Sequence, residues 1–505
     1  MWEKTFMKFH ALAATAAFAL FATQAIAGDT LGVFEKHVDV GATALPGQAS
    51  FKEGAYRLTA SGANIWGAAD AFLFAANTVL GDVVIAADIA FEGQGVDPHR
   101  KAGIMLRQTL DAGSPYIDIM VHGDGLVSLQ YRETQGGETH QVVATRGGAK
   151  RVKLEYQNGY GWMSLSDADG EMRYVGGGVR LPLSGAYLAG LALSSHNNSV
   201  AETAVFSNVE LSALPARATP TPQTKTESTL EVLDISSRNR TIVWHTKDLI
   251  EAPNWSRDGT TLLFNAKGHL FTIPVSGGMP TQVNTGTLNR MNNDHGYSPD
   301  GKWIVVSDQT HPDNQSRIHI LPAAGGEPRL ITPNAPSYWH GWSPDGKTLA
   351  YIASRGGDYD VYTIPVEGGV ETQLTTSPGL DDGSDYSPDG EWIYFNSVRS
   401  GNMKLWRMKP DGSGAQQLTF EEGTRDWFPH PSPDGKWIAF ISFGTDVAVG
   451  DHPANKDVSL RLMPATGGAP VVLTRLFGGQ GTINVPSWSP DSTQIAFVSY
   501  RPAGD

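Results

Sequence analysis

A four-residue turn recurs six times in the second half of this chain, and its spacing leaves few architectures open. The copies are Ser256-Arg-Asp-Gly259, Ser298-Pro-Asp-Gly301, Ser343-Pro-Asp-Gly346, Ser387-Pro-Asp-Gly390, Ser432-Pro-Asp-Gly435 and Ser489-Pro-Asp-Ser492. Successive serines stand 42, 45, 44, 45 and 57 residues apart. A period of about 40–45 residues is the length of one propeller blade. Proline presets φ at the first central position. Aspartate bonds back to nearby backbone, and glycine takes the place where φ turns positive.

Each turn runs into an alternating strand, over 302–307, 347–352, 391–395 and 436–441. A third strand follows, as at 361–365 and 405–408, then a glycine turn and a fourth, as at 371–375. Four strands per repeat make a blade. The last repeat holds a second strand, 494–500, with no third or fourth after it, while two unassigned strands, 230–234 and 241–244, precede the first turn. The expected fold is therefore a six-bladed β-propeller whose sixth blade mixes 230–244 with 482–500. Such closure removes the open sheet edge.

The rest of the chain is organised differently. Residues 1–27 read as a secretory signal peptide: Lys4 and Lys8 come first, then an apolar run over 11–22, then Ala25-Ile26-Ala27 as cleavage site. Cleavage would change the net charge from −14 to −15 by removing Glu3, Lys4 and Lys8. Residues 28–213 show short strands (82–90, 102–107, 116–121, 126–131, 153–156) punctuated by Gly123-Asp-Gly125, Asn158-Gly159 and Asp167-Ala-Asp-Gly170. That pattern predicts a β-sandwich. Residues 214–228 are rich in proline and threonine and read as a linker, leaving 229–505 for the propeller. The fold class is all-β.

Composition excludes several functions. The chain has no cysteine, so disulfides, thiolate metal sites, iron–sulfur clusters and thiol catalysis are out. The acidic balance, without a clustered basic face, excludes nucleic acid as a partner. No second hydrophobic span follows the leader, so no membrane span is expected. The protein should be periplasmic or secreted, and a monomer.

The repeat, with its W-S-P-D-G-K start, its I-P-x-x-G-G turn and its Q-L-T end, resembles the TolB-type propeller repeat over about 230–500. The run from Asn64 through Gln108 resembles concanavalin-like jelly-roll domains attached to extracellular carbohydrate-active proteins. These resemblances imply a propeller and a jelly roll. They leave function open, because one scaffold hosts many activities. Trp66, Tyr131 and Trp162 are residue types that stack on sugar rings, and also ordinary core aromatics.

Equivalent places ahead of each turn are brought round the channel by blade symmetry. That ring carries His295 and His340, each three residues before its serine, and His430, offset by one at two before, with Arg425 and the carboxylates Glu251, Asp294, Asp381, Asp382 and Asp426. Trp339, Trp427, Gln480 and Asn484 share these segments. The 57-residue spacing marks an insertion over 444–457 whose His452 and Lys456 are placed to reach the channel mouth. Imidazoles beside carboxylates serve as acid and base, or hold a metal. The expectation is one cavity with His295, His340, His430 and Arg425 as catalytic groups. Glu251, Trp339, Asp381, Asp382, Asp426, Trp427, His452, Lys456, Gln480 and Asn484 would bind substrate, and the three histidines would be candidate ligands for a divalent metal (Mn, Ca or Zn).

Gly341-Trp-Ser-Pro-Asp-Gly-Lys-Thr348 matches a phosphate-loop pattern, but it is the repeat turn between strands and lacks the helix that mechanism needs. The functional expectation is a carbohydrate-active protein, a polysaccharide or oligosaccharide lyase or hydrolase working at the propeller mouth. β-Elimination there would pair Arg425 or a cation with a histidine base, and the architecture resembles that of oligogalacturonate lyase. The alternative is a non-catalytic TolB-like binding module for a protein or glycan partner.

Overall fold

The computed structural model describes residues 31–166 and 169–503. The expected leader lies outside them, as does Asp167 of the Asp-Ala-Asp-Gly turn. The described chain is all-β, and among the described residues no helix is long and apolar enough to cross a membrane.

The second half forms a β-propeller with five four-stranded antiparallel blades. Their inner strands are Glu251–Trp255, Met291–Tyr297, Ser337–Trp342, Asp381–Tyr386 and Arg425–Pro431. Each ends at its repeat turn, and the turn explains the motif. In all six copies the serine hydroxyl donates to the aspartate at 2.6–2.7 Å. The serine oxygen also accepts the amide five residues on, at 2.9–3.1 Å. The fourth residue is left-handed throughout: φ is 69–73° for the five glycines and 63° for Ser492. Thus one side chain closes the hairpin that joins inner strand to second strand.

The strands left over from the repeat also pair. Gln494–Pro502 runs antiparallel along Thr226–Asp234, which pairs in turn with Arg240–Thr246. Trp488 bridges Ile495. Arg240 and Thr241 then pair in parallel with Val142 and Val143, so these strands continue into a sheet of the N-terminal half. The seam is buttressed by a buried ion pair. Arg240 donates twice to Glu231 at 2.8 Å and once to the Gly178 carbonyl at 3.1 Å.

The N-terminal half is built on two antiparallel sheets, the first continuous with the strands just described. One runs Lys36–Val40, Phe72–Leu80, Ala186–Ser194, Lys101–Arg107, Tyr116–His122, Val127–Arg132, Thr139–Thr145. The other runs Met172–Arg180, Tyr160–Ser166, Arg151–Gln157, Val83–Glu92, Asn197–Ala213, Ala55–Gly62, Gln48–Lys52. Between them lies one apolar core with Leu58, Ile85, Ile104, Ile119, Leu129, Leu154, Leu191 and Phe206. Tyr131 and Trp162 are buried, and Trp162 stacks on Tyr160 at 5.2 Å in a cluster shared with Leu230, Phe477 and Tyr500. Trp66 is half-buried with Lys101 Nζ 5.2 Å over its ring.

The segment read as a linker is tied down. Thr226 already belongs to a strand. Asn455 Nδ2 donates to the carbonyls of Thr221 and Thr224 at 3.0 and 2.9 Å, and Arg217 donates to the Pro502 carbonyl at 3.1 Å. Proline-rich chain leaves carbonyls without backbone donors, and side chains from the propeller supply them.

Candidate functional site

The inner strands run from one end of the channel to the other, so their first and last residues line different cavities. The residues at the strand ends, among them Trp255, Tyr297, Trp342, Asp385, Tyr386 and Trp488, border a cavity of about 260 Å³ beside the turns. Those at the strand starts, with parts of neighbouring loops, border a larger cavity of about 490 Å³. Its wall holds Asn292, Asn293, Asp294, Tyr338, His340, Tyr359, Asp382, Phe428, His452, Gln480 and Asn484, closed by Ile352, Leu380 and Gly450.

A His–Asp pair organises this wall. His340 Nε2 lies 3.1 Å from Asp382 Oδ1, and His452 Nε2 lies 3.8 Å from Asp382 Oδ2. The Gly383 amide donates to Asp382 at 2.7 Å. Gly383 has φ 63°, and a Cβ there would meet Asn396 Oδ1 at 2.4 Å, so this donor needs a glycine. Phe428, left-handed at φ 56°, lies nearly parallel to His340 at 6.0 Å and meets His452 edge-on at 5.3 Å. Asn484 Nδ2 donates to Gln480 at 3.1 Å.

Electrostatics separates the two carboxylates of the cavity. Burial pushes Asp294 up to about 7, with further upward pressure from Asp382 and Glu251 and a partial offset from His340. Burial also works to raise Asp382, but its contact with His340 wins and holds it below the usual range. Burial works to lower His340, yet Asp382 and Asp294 carry it above the usual histidine value. The two carboxyls of the cavity are therefore pushed apart, Asp294 toward its protonated form and Asp382 toward its carboxylate, while the same contact pushes His340 toward its charged form.

The expectation of a three-histidine cavity is overturned. His295 is fully buried between carboxamides, with Nδ1 2.8 Å from Asn254 Oδ1 and Nε2 3.3 Å from Asn265 Oδ1. Burial alone pushes it down to about 3. His430 pairs with Asp385 at 3.3 Å, toward the turn end. The cause is the β-bulge carried by every inner strand. It spans 292–294 ahead of His295, falls on His340 itself in the third blade, and precedes His430 in the fifth. A shifted bulge turns an equivalent residue to another face, and His430 also stands one residue nearer its serine than His295 and His340 do.

Other expected residues also lie elsewhere. Arg425 is outside the cavity wall, beside the 444–457 loop. Lys456 donates to Asp446 at 2.8 Å and, with Arg425, holds that carboxylate below its usual range. Asp381 pairs with Arg399 at 2.8 Å, and Asp426 is buried against Lys404 at 3.2 Å. Trp339 lines the turn-end cavity, donating to the Gly341 carbonyl. Trp427 is buried behind His452, its ring 4.4 Å away. Glu251 is half-buried, accepts from Asn265 at 3.0 Å and is raised by burial. Of the fourteen expected residues, His340, Asp382, His452, Gln480 and Asn484 meet in the cavity.

The metal expected on His295, His340 and His430 does not fit, because the three rings have separate partners. Asn292, Asn293, Tyr338, Tyr359 and Phe428 were missed. Asn292, Asn293, Tyr338 and Phe428 stand in the same aligned segments, where residue type alone did not set them apart.

With this geometry the molecule is an all-β protein carrying a TolB-type propeller, and the comparisons place it more closely. The family model for the TolB β-propeller domain matches residues 334–458. The uncharacterised protein Atu1656 of Agrobacterium fabrum is 47% identical over 292 residues, spanning 58% of this chain and 98% of that protein. The chain belongs to the family of that Agrobacterium protein. A solved structure of a candidate TolB from Agrobacterium tumefaciens is 48% identical, covers 55% of this chain and 99% of its own, and superposes with a TM-score of 0.53. TolB from Acinetobacter baumannii is 15% identical, with 58% of this chain and 75% of that one covered and a TM-score of 0.40.

Proposed function

We propose that this chain is an exported propeller protein whose strand-start cavity binds a neutral oligosaccharide. The observation that carries this reading is the cavity wall: carboxamides and carboxylates for hydroxyl groups, with Tyr338, Tyr359 and Phe428 for sugar faces, in one concave site. No lysine or arginine is among the lining residues. That composition, with His340 already engaged by Asp382 at 3.1 Å, favours neutral over acidic glycans and lends no support to β-elimination from a uronate, which needs a cation free to neutralise the sugar carboxylate. Arg425, expected in that role, faces the loop instead.

A second reading is glycoside hydrolysis, favoured by the opposite shifts of Asp294 and Asp382. Asp294 would donate a proton to the leaving oxygen, and Asp382, held ionised by His340, would act as base or nucleophile. Export is inferred from the leader at 1–27. The ring is taken as six-bladed, supported by the pairing of Gln494–Pro502 with Thr226–Asp234. The 28–213 unit is taken as a concanavalin-like jelly roll, supported by its two facing sheets.

Calorimetric titration of tag-free protein against neutral and uronate-containing oligosaccharides tests this. A neutral glycan should bind, and Tyr338→Ala should weaken it by about 1 kcal/mol, roughly fivefold. Reducing-end release separates hydrolysis from binding. Preference for uronates, or full affinity in Tyr338→Ala, would overturn the reading.

A further inference from the structure

We propose that His99, His122 and Asp124, completed by His196, form a binding site for one divalent transition-metal ion of the zinc class. The site lies at one end of the N-terminal unit, far in sequence from the propeller cavity. Sheet register builds it. Lys101 pairs with His122 on one side and with Ser194 on the other, so three neighbouring strands end level. His122 closes its strand, His99 stands two residues before Lys101, and His196 two residues after Ser194.

The donors converge. One ligand atom from each of His99, His122 and Asp124 lies within 4.8 Å of the others, and among the described residues no other such triad occurs. The His99 ring is 5.7 Å from His196 and 6.3 Å from His122. His122 supplies the second, independent observation. It is 6% exposed, its Nε2 lies 3.2 Å from the Gln130 amide nitrogen, and its Nδ1 is buried without a partner. A buried polar atom left unsatisfied is costly, and a metal bond would satisfy it.

The surroundings orient the donors as metal sites require. Asp97 Oδ2 lies 3.2 Å from His196 Nδ1, while Asp97 Oδ1 accepts the His99 amide at 2.7 Å. Asp124 Oδ1 accepts the Leu126 amide at 3.0 Å, leaving Oδ2, 4.0 Å from His99 Nδ1, to face the cluster. Imidazoles with one carboxylate suit zinc and its neighbours, whereas calcium and magnesium take oxygen sets.

Cobalt titration of the tag-free, chelator-stripped full chain tests the proposal. One Co²⁺ per chain should give the visible bands of a low-coordinate nitrogen–oxygen site, and Zn²⁺ should displace it. His99→Ala changes an exposed side chain and should weaken Co²⁺ binding at least about tenfold, as should Asp124→Ala; Asp97→Asn should cost about tenfold through orientation alone. His311→Ala, an exposed propeller histidine, should change nothing. Absence of saturable Co²⁺ binding would overturn the proposal, as would bands that survive both His99→Ala and His122→Gln.

Discussion

Asp382→Asn keeps the shape of the cavity wall and removes one charge, so it isolates the electrostatics on which the site depends. His340 is 3% exposed, and burial alone would lower it, as His295 shows at the equivalent position with amide partners and a value of about 3. Asp382 and Asp294 lift His340 above the usual 6.5. In Asp382→Asn, His340 should fall below 6.5, with Asp294 keeping it above the His295 value. The stability consequence has a defined window. A raised histidine stabilises fully below its ordinary value and loses that contribution as pH rises through the folded one. A lowered carboxylate stabilises above its ordinary 3.8 and loses that contribution as pH falls through its folded value. The pair therefore contributes in full between the ordinary values of 3.8 and 6.5 and fades beyond each end. Losing the charge from a charged hydrogen bond costs about 1.5–3 kcal/mol, less than the roughly 3–5 kcal/mol of removing one partner outright, because asparagine still accepts. Imidazole titration by long-range ¹H–¹⁵N NMR and urea unfolding at pH 5.5 and pH 9 measure both effects. An unchanged His340 titration, or an equal stability loss at both pH values, would refute the reasoning.

Ser298→Ala removes the acceptor of the Trp303 amide and should cost about 1 kcal/mol in urea unfolding. It should also blunt acid unfolding between about pH 4 and pH 2, because the Ser298 hydroxyl is the main cause holding Asp300 down at about 2. Brief proteolysis should spare 214–228 in the wild type and cut there in Asn455→Ala, which frees the Thr221 and Thr224 carbonyls; equal cutting would contradict the tie. Glu231→Ala leaves Arg240 buried with neither charge nor acceptor opposite it and should cost about 3–5 kcal/mol. Calorimetry should then show the two halves separating into two transitions, since Arg240 also holds Gly178.

The propeller was legible because the turn is a local device: serine, aspartate and a left-handed fourth residue act within six positions. The tie between 214–228 and Asn455 was not, since it joins residues more than two hundred positions apart. The site was legible in part. Aligning on the serine found the right strand segments, and it correctly brought His340 and Asp382 together. It failed for His295 because the alignment assumes unbroken alternation, while each bulge sits at its own place, and for His430 because that residue also stands one position nearer its serine. Asn292, Asn293 and Tyr338 were in view, yet nothing in their chemistry marked them before the cavity did. Tyr359 and Leu380 reach it from neighbouring segments that carry no motif.

A crystal structure of the protein soaked with its tightest neutral oligosaccharide tests the central claim most directly. Sugar density in the strand-start cavity, against Tyr338 and Phe428 and within hydrogen-bond reach of Asp382 and Asn484, is the predicted result. Density confined to the turn-end cavity of Trp255, Tyr386 and Trp488, or to the N-terminal sheets, would contradict it.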